Sequence, residues 1–200
     1  PIVLLVMLSI VTVLFRSPTP VMLAGGVSLL SVLWTLGLAT ATDAKLTIFE
    51  SIVPAVIAIV AISDVVHLWS AYLHSLASGA EKQDAIQQSA TDVGKACLLT
   101  SVTTFVGFVS LTLIPTPMFR QLGWELGFGV AMALLLAMTL VPIAATIGDT
   151  PSIKARKMDN PVARLVDGMT RICALVSTRY PRTIIIVFAV WAAIMAVGAA

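Results

Sequence analysis

"LGFGVAMALLLAMTLVPIAATIG", residues 126–148, runs for twenty-three residues without Asp, Glu, Lys or Arg. A helix needs about 20 apolar residues to cross the hydrocarbon of a bilayer, so this stretch is long enough to span one. Residues 17–42, 96–119 and 183–200 are equally free of charge. Over the 200 residues, 58% are hydrophobic and 11% charged, less than half of the roughly 25% charge of a soluble domain. A soluble bundle would show polar faces at helical period, whereas these runs are apolar all round. The predicted fold class is all-α: a polytopic transmembrane helical bundle.

Apolar runs set against their breakers predict six spans, at 1–15, 20–39, 47–73, 96–114, 122–146 and 183–200. Lys and Arg orient them. The first, third and fifth connections hold Arg16; Lys82 and Lys95; and Lys154, Arg156, Lys157, Arg164, Arg171, Arg179 and Arg182. The second and fourth hold only Lys45 and Arg120. The positive-inside rule then puts the ten-cation side in the cytoplasm and both chain ends on the outer, periplasmic side of a cell (inner) membrane. Pro1 leads into an apolar run with no basic start, and the last residues stop inside another. A piece of a longer protein is expected. Two cytoplasmic connections, at 80–97 and 160–179, carry apolar stripes and read as amphipathic helices on the inner membrane surface. An alternative is that they pack on a cytosolic part of the same protein. Cys97 and Cys173 fit no metal spacing and read as free thiols.

A short helix containing "DAI" (84–86), then "TSVTTFVGFVSL" (100–111), a Pro-containing outer loop, and "LGWELGFGVAMALLLAMTLVPIAA" (122–145) follow one another in this order. The order resembles the resistance-nodulation-division (RND) superfamily, and within it the branch of mycobacterial-membrane-protein-large (MMPL) and patched-like transporters. Residues 1–147 resemble the five-span unit called the sterol-sensing domain in eukaryotic relatives. Residues 148–182 then correspond to a cytoplasmic basic linker and 183–200 to the first span of a second repeat, cut short. The resemblance implies partners in the same protein: a second transmembrane repeat and large extracytoplasmic domains, where export substrates are usually recognised.

"AISDVVHLW" (61–69) places Asp64 in the third predicted span, after thirteen residues without a charge. A charged residue at mid-span costs about 2.5–3.5 kcal/mol on insertion scales, and such residues are mostly functional. In proton-driven RND members the corresponding span carries an acidic residue, so the resemblance implies a proton relay at Asp64. Where that branch often shows an Asp-Tyr pair, this chain has Val65 and Val66 after Asp64. His67, one turn on, is the nearest second member of a relay, or else an ordinary histidine at a span end. Glu50 shares a helical stripe with Asp64 and either feeds protons from outside or stays in interfacial water. Thr100 and Thr104 align with Gly107 and Leu111 on a small, polar stripe that either donates to Asp64 or only packs. The alternative for Asp64 itself is a fixed hydrogen-bond acceptor tying its span to neighbours. Pro54 predicts a kink in the same span. Gly123 and Gly127 read as a packing face, and Glu125 between them as a carboxylate among headgroups.

The expected function is the membrane domain of a proton-driven exporter of lipid-like or other hydrophobic substrates, with membrane lipids and protons as partners. The alternative is a sterol- or lipid-responsive sensor or scaffold without coupled transport. No H-E-x-x-H, G-x-S-x-G or phosphate-cradling glycine loop is present, so no enzyme, cofactor or metal site is expected. The basic linker is explained by topology and anionic lipid rather than by nucleic acid.

Overall fold

The computed structural model describes residues 2–42 and 51–148, together with positions 168, 175 and 179. The chain divides into two compact units, residues 1–156 and 157–200, and every element below belongs to the first. Among the described residues all regular structure is helical. Helix α1 is Ile2–Phe15, α2 Pro18–Ala41, α3 Val53–Ala77, α4 Lys82–Gln88, α5 Gly94–Ser110 and α6 Pro117–Ile147. A π turn, Ser89–Val93, joins α4 to α5, and a 3-10 turn, Leu111–Leu113, follows α5. Four helical stretches are long and apolar enough to cross a membrane: α2, α3, the continuous Lys82–Leu113, and α6. Helix α1 is shorter. This is a helical membrane bundle. The sixth predicted span, 183–200, and the amphipathic segment 160–179 lie outside the described residues, apart from positions 168, 175 and 179.

Local chemistry sets the element ends. Arg16 turns the chain between α1 and α2 in the left-handed region (φ 45°), and Pro18 opens α2 at its first turn, where a missing N–H costs nothing. Gly79 takes φ 92° and reverses the chain out of α3, a conformation glycine adopts without strain. Pro54 stands in the first turn of α3, where its missing N–H opens no bond within the helix, and residues 47–50 of the predicted span, on the other side of the expected kink, lie outside the described residues. The predicted surface helix is not separate either: α4, the π turn and α5 run on as one stretch of 32 residues. Its start packs on the bundle, with Ala85 fully buried. Lys82 Nζ donates to the Thr146 and Gly148 carbonyl oxygens at 2.8 and 2.7 Å, satisfying acceptors that the end of α6 leaves open.

Helix α3 is the centre of the bundle. Its Ala61, Ile62, Val65, Leu68, Trp69 and Tyr72 are buried against Val11 and Phe15 of α1, Ala24 and Val27 of α2, and the small face of α6. That face repeats every fourth residue through Gly129, Ala133, Ala137, Val141 and Ala145, all buried. Small residues at this spacing let helix backbones approach closely. At Gly129 the approach is tightest: a methyl would overlap Ile57 of α3 and stand 2.9 Å from Thr35 Oγ1 of α2. A second face of α6 receives α5. A methyl on Gly123 would meet the Phe108 carbonyl at 2.7 Å, and one on Gly127 would meet Val109 at 3.0 Å.

Candidate functional site

Asp64 stands eleven residues into α3, roughly 16 Å along it at 1.5 Å per residue. It is 5% exposed, so its carboxylate has left water and needs donors from the protein. These come from α5, whose buried residues Gly94, Cys97 and Ser101 form a narrow face of small side chains. Ser101 Oγ donates to Asp64 Oδ2 at 3.5 Å, a long bond. The buried Cys97 thiol stands one turn earlier on the same face of α5. His67 is exposed, one turn along α3.

The predicted threonines do not take part in this contact. Thr100 is exposed and donates to the carbonyls of Ala96 and Cys97, at 3.1 and 3.0 Å. Thr104 donates to the Thr100 carbonyl at 2.8 Å. A β-hydroxyl bonding back along its own helix has spent its one donor there. Gly107, on the same predicted stripe, has open space beside it. The stripe that meets α3 is the neighbouring one, through Cys97 and Ser101. Its signal in the sequence is Gly94, Cys97 and Ser101 at helical spacing among the bulkier Leu98, Leu99 and Val102. Glu50 lies outside the described residues.

Glu125 departs from its expected place among headgroups. It is 5% exposed and accepts a bond from Gln121 Nε2 at 2.9 Å. Four residues before Gly129, it heads the same buried seam of α6.

Two hollows flank α3. One, of about 800 Å³, opens between α1, α2 and α3 and is lined by apolar side chains including Leu8, Leu29, Pro54 and Ile62. Ser28 also lines it; its hydroxyl is buried and has no hydrogen-bond partner among the described residues. The other, of about 450 Å³, is polar and lies between α3 and the α4–π-turn segment. Among the described residues no three His, Cys, Asp or Glu side chains converge as metal ligands.

A protein of Methanocaldococcus jannaschii, described provisionally as a membrane protein, is 29% identical over 155 residues. The alignment takes in 76% of this chain and 40% of that relative, so the chain spans less than half the relative's length. No solved structure matches the chain. The model of the MMPL family matches residues 1–194. With a match over nearly its full length and a bundle of membrane-spanning helices beneath it, this chain belongs to the MMPL family of the RND superfamily.

Proposed function

We propose that the chain is the membrane domain of a proton-driven exporter of lipid-like or other hydrophobic molecules. The observation that carries this reading is the buried Asp64 carboxyl in the middle of the central span, held by α5 side chains that are themselves small and polar. A carboxyl in hydrocarbon is costly, and loading and releasing a proton is the use that repays it. The apolar hollow between α1, α2 and α3, with one unsatisfied hydroxyl at Ser28, suits a molecule that is mostly hydrocarbon and carries few polar atoms. A lipid-responsive sensor would need the hollow but has no use for the carboxyl. A second transmembrane repeat and extracytoplasmic domains would complete the machine, in an inner membrane with both ends of this chain outside.

The test uses the full-length protein in proteoliposomes with trapped pyranine, an imposed pH gradient and an NBD-labelled phospholipid as hydrophobic probe. Wild type should carry protons in proportion to probe transfer. Asp64→Asn keeps size and hydrogen bonding but cannot titrate; it should insert normally and lose coupled flux at least tenfold. Wild-type flux from Asp64→Asn, with unchanged pH dependence, would falsify the relay.

A further inference from the structure

Ser63, His67, Ser70 and His74 follow one another along α3 at steps of four, three and four residues, and all four are exposed. Polar and ionisable groups on a span face protein or water rather than lipid, so this stripe is not a lipid-facing side of the helix that carries Asp64. Facing its inner part are Gln88 at the end of α4 and Ser89 and Asp92 of the π turn, across the polar hollow of about 450 Å³. A water occupies about 30 Å³ of liquid, so the hollow has room for on the order of ten, with hydroxyl, imidazole, amide and carboxylate groups to hold them. Ser75 Oγ donates to Gln88 Oε1 at 2.6 Å and ties the two walls together at one edge. The π turn in the second wall is a helix irregularity often found at functional sites.

The groove also has a direction. His67, on its wall, is one turn from Asp64 along α3. His74 and Asp92 also line it, towards the segment holding Lys82, which charge asymmetry puts in the cytoplasm. We propose that this groove is the aqueous path between Asp64 and the cytoplasm, with His67 at its inner head and His74 and Asp92 along its walls. Among the described residues, the titratable groups that share the groove with His67 are His74 of α3 and Asp92 of the π turn, with Asp64 one turn back along α3. The inference rests on the relay reading of Asp64 and adds the route by which its proton travels.

The experiment takes the full-length protein with Cys97→Ala and Cys173→Ser, bearing a single cysteine at Ser70 or, as a lipid-facing control, at Leu135, which is 58% exposed at mid-span. In inside-out vesicles, a membrane-impermeant methanethiosulfonate should label Ser70→Cys at least tenfold faster than Leu135→Cys. Equal rates, or labelling of Ser70→Cys only from the outer side, would overturn the groove assignment. Ala71, which also lines the groove, supplies a second arm. Ala71→Trp should cut probe-coupled proton flux at least fivefold while Asp64 still reacts with dicyclohexylcarbodiimide at the wild-type rate. Undiminished flux through a folded Ala71→Trp protein overturns the groove as well, and the labelling result decides alone if that variant does not insert. The two readings fail separately: a null effect of Asp64→Asn removes the relay, whereas a silent Ser70→Cys beside an inactive Asp64→Asn removes only the route.

Discussion

Asp64 has few donors, so each one it has should be felt. Ser101→Ala removes the hydroxyl that reaches Oδ2. A typical bond contributes about 0.5–1.5 kcal/mol net, and at 3.5 Å this one belongs at the low end. Ser101→Ala should therefore displace the pH midpoint of probe-coupled flux, while Thr100→Ala, whose hydroxyl serves its own helix, should leave the profile where it was. The reverse ranking would mean that the α5 face has been misassigned. Tyr72 offers a second residue-scale test. It is 1% exposed and its hydroxyl has no partner among the described residues. Tyr72→Phe removes an unmet desolvation cost, so melting in detergent should stay level or rise, by up to about 1 kcal/mol; a clear fall would reveal a bound water or ligand on that oxygen. Asp64 was legible in the sequence because it interrupts a charge-free run. Its donor was not. Residues 100 and 101 differ by about 100° around a helix, and the rotation of α5 is set by close approaches such as Gly94 to Met138 and Gly123 to the Phe108 carbonyl. Those are tertiary contacts, which hydropathy does not encode.

Helix α6 meets α2 and α3 through one glycine-bearing face and α5 through another, and the faces should differ in tolerance from ordinary helix surface. Gly129→Ala puts a methyl into Ile57 and Thr35. Overpacking of this kind costs about 1–3 kcal/mol, to be read as a lowered melting temperature in detergent. Gly26→Ala, with nothing within 4 Å of the new methyl, should be neutral or gain up to about 1 kcal/mol in helix propensity. Equal effects at the two positions would contradict the close approach of α6 to α3. The run 126–148 announced a span plainly, and Gly123 and Gly127 announced a packing face. The seam from Glu125 to Ala145 was less visible, since alanines at 131, 133, 137, 144 and 145 populate several faces of the same helix. Only packing against α2 and α3 selects one of them. The same selection carries Glu125 from the expected headgroup layer into the interior.

For the whole molecule, the cation asymmetry assigns residues 75–95 to the cytoplasm and 115–121 to the outside. Ser78 and Thr116 are both exposed, one after α3 and the other before α6. Single cysteines there, in a background without Cys97 and Cys173, should differ in labelling by an impermeant thiol reagent applied to intact cells, with Thr116→Cys modified and Ser78→Cys protected. Equal labelling would sink this orientation. The bundle and the order of its spans were readable because length and charge determine them. The continuity of Lys82–Leu113 was not, because its polar first half reads as surface and its apolar second half as span.

That continuity has a consequence for how the chain can vary. Helix α4 is fastened at both ends, through Lys82 to the last carbonyls of α6 and through Gln88 to Ser75. It is a fixed origin from which the azimuth of α5 is counted, and the π turn Ser89–Val93 sets the count. Tightening that turn to an ordinary helix with no residue lost would wind α5 on by about one residue's step, roughly 100°, and bring Thr100 opposite Asp64 in place of Ser101. A change of winding that a surface loop would absorb unnoticed becomes here a phase error at the carboxyl, so the π turn works as the vernier of the whole helix.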